Sequence, residues 1–176
     1  HRQCRRQRQM CIRDRAKNII LLIADGMSLS QITAYRMMQG SLNERISMDK
    51  FPYSGIVLTH SYDAAVTDSA SSATAYSTGF KTNNGALGLD QDLNELENLT
   101  ETIDKFGFVS SLISTSEVTH ATPAAFAAHV DLRWKTDLIS AQMIDSKVAT
   151  ILGGGRFFFT PEEEGGKRED GRNLLD

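Results

Sequence analysis

The stretch Val66-Thr-Asp-Ser-Ala-Ser-Ser-Ala-Thr-Ala75 sets an acidic residue, Asp68, directly before a serine, Ser69, and follows them with small residues. Such a run suits the tight first turns of a buried helix. A serine there lies beside orphan backbone N–H groups and the positive end of the helix dipole. Both favour an alkoxide and any anion it attacks. Small neighbours also let a phosphate or a metal come close. The chemistry on offer is activation of a hydroxyl for attack on an anionic group. Taken alone, the segment fits a capped, Ala/Ser-rich packing helix equally well.

Other candidates lie on either side. Asp25 closes the apolar run Lys17-Asn-Ile-Ile-Leu-Leu-Ile-Ala24 and precedes Gly26-Met27. A carboxylate at the C-terminal end of a buried strand sits where open α/β sheets bind ligands. It can equally be a plain strand-end or helix-capping residue. His120 and Thr122 follow a third apolar run, and Arg133 comes shortly after. Carboxylate, hydroxyl and imidazole are hard or borderline ligands suited to Mg²⁺ and Zn²⁺. A serine beside such a cation loses its proton readily. A planar guanidinium can clasp two phosphoryl oxygens.

These groups need elements to carry them. Residues 17–24 read as a central parallel strand, buried on both faces. Ser28 or Ser30 caps a helix over residues 31–38. Ser54-Gly-Ile-Val-Leu-Thr-His60 is a second strand, and a helix runs from Ser69 to about Ser77 with Gly79 as its C-cap. Lys81-Thr-Asn-Asn-Gly85 is turn chemistry. Leu96, Leu99, Ile103 and Phe106 have helical spacing and end at Gly107. Residues 108–115 form a third strand. Thr122 caps an Ala-rich helix with Pro123 at its first position. A helix over residues 134–146 and a strand over 148–152, closed by Gly153-Gly-Gly155, complete the series. Strand and helix alternate, so βαβ units and a parallel sheet are expected. No internal repeat or linker interrupts them.

Composition sets the bounds. With 40% hydrophobic and 23% charged residues the chain has an ordinary globular balance, and no apolar run is long enough to cross a membrane. The net charge of −3 hides an asymmetry: residues 1–15 hold six Arg and one Asp, a net +5, which leaves −8 for the rest. An acidic body argues against nucleic acid as the main partner. Residues 1–15 have no helical or strand period and no apolar centre of the kind a secretory signal needs. They read as a foreign or disordered leader and stand outside the fold argument. They also contain both cysteines, Cys4 and Cys11, so residues 16–176 can form no disulfide framework or thiolate metal site.

Several ordered segments resemble alkaline phosphatases: Asn18-Ile-Ile-Leu-Leu-Ile-Ala-Asp-Gly-Met27, Val66-Thr-Asp-Ser-Ala70, and Thr74-Ala-Tyr-Ser-Thr-Gly-Phe-Lys-Thr-Asn-Asn-Gly-Ala-Leu-Gly88. His120-Ala-Thr-Pro-Ala-Ala-Phe-Ala-Ala-His129 and Gly165-Gly-Lys-Arg-Glu-Asp-Gly-Arg-Asn173 do so too. The resemblance covers nearly all of residues 16–176. It implies the N-terminal part of a three-layer α/β/α sandwich with a mostly parallel central sheet, the C-terminal half lying outside the chain. It implies metal-dependent hydrolysis of phosphate monoesters through a phosphoserine at Ser69, with two zinc ions and one magnesium. Asp25 is then a ligand shared by one zinc and the magnesium. Thr122 is a magnesium ligand, and His120 acts on the magnesium directly or through water. Arg133 binds the substrate phosphate, and Asp68 positions Arg133 and the serine loop. His129 is read as a packed, hydrogen-bonded helix residue, Trp134 as packing and His60 as a strand-end surface residue. The family further implies small-molecule phosphomonoester substrates, a homodimer when full length, and export to the periplasm or beyond the cell.

Two rival readings remain. A phosphodiesterase of the same superfamily is one; such relatives usually carry Thr as nucleophile. A non-catalytic α/β binding domain is the other. The remaining family metal ligands lie downstream of the chain's last residue. The isolated 176-residue piece is therefore expected to be inactive and poorly stable. An assay with a chromogenic phosphomonoester plus zinc and magnesium checks this, and strong Ser69-dependent turnover would refute it.

Overall fold

The computed structural model describes residues 16–41 and 43–176. The expectation for residues 1–15 lies outside the described residues. The chain divides into two compact units, His1–Asn43 and Glu44–Asp176.

In the first unit, α1 spans Leu29–Met38. Ser28 caps it: its hydroxyl accepts from the Ser30 N–H at 3.2 Å, and the Gln31 side chain accepts from the Ser28 N–H at 3.0 Å. This is a reciprocal capping box. The expected strand over residues 17–24 is absent. Among the described residues the segment has no ladder partner, and Ile19, Ile20 and Leu22 are more than 80% exposed. A central strand exists only where neighbours accept and donate on both edges, and the described strands pair only with each other. Asp25 and Gly26 form a turn, with Gly26 at φ 71°.

In the second unit, α2 spans Ser69–Thr78, α3 Leu99–Asp104, α4 Ala121–Ala124 and α5 Thr136–Asp145. The strands are β1, Ser110–Glu117, and β2, Val148–Gly154. They pair in parallel, as the alternation of elements predicts, with Leu112 opposite Ile151 and Glu117 opposite Gly154. The face bearing Leu112, Val148 and Ile151 packs on the core, whereas Ile113 and Leu152 on the other face are exposed. The core is mostly alanine: Ala70 and Ala73 of α2 meet Ala121, Ala124, Ala125 and Ala128, with Leu87, Ile139 and Met143 filling the remainder. Alanine lets α2 and α4 pack closely, so the core fixes the start of one helix relative to the other.

Three expectations need correction here. Residues 54–60 form no strand: Ile56 is 97% exposed, and this run is held by the Lys81 ammonium donating to the Leu58 and His60 carbonyls. Among the described residues, no strand pairs with it. Thr122 is not a helix cap. His120 holds the N-cap position and Pro123 is third in α4, where a missing N–H also leaves no intrahelical bond unmade. Finally, β2 runs on to Gly154 and turns at Gly155, φ 90°, where a Cβ would stand 2.6 Å from the Glu117 Cβ.

His129 ties three segments together, lying beyond the end of α4 rather than within a helix. Its Nδ1 faces the Gly88 carbonyl at 2.9 Å and its Nε2 faces the Glu101 carboxylate at 3.0 Å. Both partners only accept, so the arrangement favours the doubly protonated ring. Burial pushes the His129 pKa down, but the bonds to Gly88 and Glu101, with the nearby charge of Glu95, outweigh it and the net shift is upward. A folded pKa above the unfolded value means the extra stability is complete below about pH 6.5 and fades as pH rises through the folded value. Thermal melts across that range should show this decline in the wild type. His129→Gln should be flatter, and Glu101→Gln should reduce the slope.

Candidate active site

The site is built on the N-terminus of α2. Asp68 is the N-cap, with extended backbone, and its carboxylate accepts from the Ser71 N–H at 3.0 Å. Ser69 is therefore the first helical residue, where backbone N–H groups lack intrahelical acceptors. Gly79, at φ 81°, closes the helix in the left-handed conformation glycine tolerates. The helix start at Ser69 and the stop at Gly79 are those expected from the sequence, and the structure puts the cap on Asp68.

Arg133 reaches this point from the segment between α4 and α5. Its Nη1 donates to the second carboxylate oxygen of Asp68 at 3.3 Å, and its Nη2 lies 3.1 Å from His120 Nε2. A guanidinium only donates, so Nε2 of His120 must present its lone pair. The Arg133 side chain is only 14% exposed, so this ion pair is shielded more than a surface pair. The guanidinium also lies 5.0 Å from the Trp134 ring centroid. Trp134 is 71% exposed, which corrects the expectation of a packing residue. It flanks the site because it follows Arg133 directly in an irregular segment, with no helix to turn it inward.

Burial raises the Asp68 pKa, but hydrogen bonds from the Ser71 N–H, the Gly85 N–H, Arg133 and the Ser71 hydroxyl overcome it, and the net shift is downward. The ionised form of Asp68, the counter-ion of Arg133, is thus favoured. Around it the hydroxyls of Thr67, Ser71 and Ser72 form a short network, with Thr67 Oγ1 2.7 Å from Ser71 Oγ and 2.8 Å from Ser72 Oγ.

The second unit therefore brings together Asp68, Ser69, Arg133 and His120, with Thr122 two residues further along α4. Asp25 belongs to the first unit, on its turn before α1. Sequence reasoning passed over Asn84 and Gly85, reading them only as a turn, although both hydrogen-bond to Asp68. The Asn-Gly dipeptide located that turn without saying what it holds.

The donor types of Asp25, His120 and Thr122 suit Mg²⁺ and Zn²⁺. Among the described residues, no cluster of three or more His, Cys, Asp or Glu is placed to hold a metal ion. These residues are thus suitable donors but an incomplete set.

Residues 16–176 match the family model for alkaline phosphatase. This chain belongs to the alkaline phosphatase family. Repressible alkaline phosphatase of Saccharomyces cerevisiae is 34% identical, over 91% of this chain and 31% of its own length. Alkaline phosphatase 4 of Bacillus subtilis is 34% identical over 84% of this chain and 34% of its own. The solved structure of alkaline phosphatase from the Antarctic bacterium TAB5 superposes with a TM-score of 0.81 at 36% identity, covering 90% of this chain and 44% of that one. A histidine-to-glutamate mutant of the TAB5 enzyme is described with Mg bound in its M3 site. The chain thus spans about a third of the length of these curated relatives. The α/β architecture and parallel pairing expected from the sequence are those of this family.

Asp68 serves the helix and Arg133 at once, and two substitutions separate the roles. Asp68→Ala removes both and should destabilise the protein by about 1 kcal/mol through the cap alone. Asp68→Asn keeps a capping oxygen and should cost less. A depressed carboxyl pKa contributes stability above its unfolded value and loses it as pH falls through the folded one. Asp68→Asn should therefore flatten the loss of stability below about pH 4, as read by circular-dichroism melts.

Proposed function

We propose that the protein containing this chain hydrolyses phosphate monoesters, with Ser69 as nucleophile and Arg133 as the phosphate clamp. The observation that carries this reading is the Asp68–Arg133 pair. It joins a guanidinium to the N-cap of the helix that begins with Ser69. A dianionic phosphoryl group meeting Ser69 would find orphan backbone N–H groups on one side and a guanidinium on another. Family membership supports the same reading.

The chemistry is two in-line displacements. Ser69 Oγ gives up its proton and bonds to phosphorus as the ester P–O bond breaks, and the departing alkoxide takes up a proton. Water then attacks the phosphoserine, inorganic phosphate leaves, and Ser69 Oγ is reprotonated. Arg133 binds the non-bridging oxygens throughout, while Asp68 keeps its guanidinium aligned. His120 Nε2 accepts from the guanidinium, and holding a cation would redirect that lone pair to the metal. Asp25, His120 and Thr122 are the residues of this chain that would hold metal, in a set of two zinc ions and one magnesium. Such cations would lower the serine pKa and offset the charge of the transferring group. Three donors cannot complete three such coordination shells, so activity needs ligands beyond these residues. Family membership also favours export and a homodimeric state for the protein containing this chain. No helix among the described residues is long and apolar enough to cross a membrane.

Incubating the full-length protein with a labelled phosphomonoester and quenching in acid should leave label on Ser69. Ser69→Ala should abolish the label and lower kcat by several orders of magnitude. Arg133→Ala should be milder, roughly 10- to 100-fold in kcat/KM and largely through KM, because it loses charged hydrogen bonds made in ground and transition states alike. Preferential turnover of a phosphodiester would point to the rival enzyme class. Binding without label or turnover would leave a binding domain.

A further inference from the structure

We propose that Asn84 is a positioning residue that sets the serine loop against the arginine, with Gly85 completing the link. The inference rests on the functional reading above and adds a residue to it. The Asn84 side chain uses both ends of its amide. Its Oδ1 accepts from the Asp68 N–H at 2.9 Å and lies 2.9 Å from the Ser71 Oγ, whose one proton it shares with Asp68. Its Nδ2 donates to the Val66 carbonyl at 2.9 Å. The orientation follows from chemistry, because a backbone N–H only donates and a carbonyl only accepts. One side chain thus spans the loop from Val66 to Ser71, with Ser69 inside it.

The next residue makes the other half of the connection. The Gly85 N–H donates to the Asp68 carboxylate, and the Gly85 carbonyl accepts from the Arg133 N–H at 2.8 Å. Gly85 has φ +89°, and a Cβ there would lie 3.2 Å from Leu132 Cδ1, so the residue type suits both backbone and space. The turn is itself anchored: the Asn84 N–H donates to Asp63 at 3.0 Å, and the Ser61 hydroxyl holds the same carboxylate oxygen at 2.8 Å. Two consecutive residues therefore grip the loop before the nucleophile and the backbone of the phosphate clamp. The separation of Ser69 and Arg133 is fixed through this turn as well as through the Asp68–Arg133 ion pair. Asn84 has no role in bond making. It acts by holding other groups in place, and small displacements of a reacting group cost rate steeply.

The test uses the full-length protein, with Asn84→Ala and Asn84→Asp, at a temperature where all forms are folded. In Asn84→Ala, single-turnover phosphorylation of Ser69 should slow about 10²-fold, and the Asp68 amide should lose hydrogen-exchange protection while the interior of α2 keeps its own. Asn84→Asp retains an acceptor for the Asp68 N–H but not the donor to Val66, so it should recover that protection and part of the rate. An unchanged phosphorylation rate in a folded Asn84→Ala protein overturns the proposal. So does loss of protection along all of α2, which would mean the turn merely stabilises the helix. If the wild type never labels Ser69, the functional reading fails on its own. The exchange arm then decides: selective loss at Asp68 sustains the link, and unaltered exchange removes it.

Discussion

The ion pair between Asp68 and Arg133, 3.3 Å across and 65 residues apart in the chain, is the constraint on which the site depends. Asp68 is not available to Arg133 alone, because one of its oxygens already caps α2. The same carboxylate therefore registers the helix start and the guanidinium against each other. Moving either one breaks a charge-assisted bond or uncovers a helix terminus. Burial opposes the charge on Asp68, and the number of donors aimed at it decides the outcome in favour of ionisation.

That pair needs α2 and the segment around α4 to lie close together. The alanine-rich core supplies this, since Ala70, Ala73, Ala121 and Ala124 are essentially fully buried and add little bulk between the helices. His129 closes the far side of the same segment by joining Gly88 to Glu101. Arg168, 1% exposed, does a similar service at the edge of the core, donating to Ser140 Oγ at 2.5 Å, the Asp137 carbonyl at 3.1 Å and Asp170 at 3.0 Å. A buried arginine is tolerable only when its donors are matched in this way. Its role was invisible in the sequence, where it sits in a charged, glycine-containing stretch.

The opposite situation holds for residues 17–24 and 54–60. Their apolar, β-branched composition reads as buried strand, yet both runs are unpaired and exposed among the described residues. Composition states what a segment can do with neighbours, and ladder bonds require those neighbours to be present. By contrast β1 and β2 were legible because each supplies the other's partner. Thr122 shows a smaller failure of the same kind. Its type and the following proline fit a cap, but the bond from the Ala124 N–H to the His120 carbonyl moves the helix start two residues earlier.

The amino-acid sequence alone determined the features that rest on near neighbours: the candidate nucleophile Ser69 at a helix start behind an acidic residue, the stop at Gly79, the turn at Asn83-Asn84-Gly85, and the family motifs that contain them. Their physics lies within a few residues, in φ/ψ preferences and in side chains that reach the next turn of backbone. The Asp68–Arg133 meeting is what the family resemblance implies, but only the tertiary structure decided that His120 joins the same guanidinium and that Asn84 holds the loop on which Ser69 sits. Those contacts join residues 13 to 65 positions apart. They exist because close packing of alanine faces brings distant polar groups within hydrogen-bonding distance, and no local preference encodes that meeting.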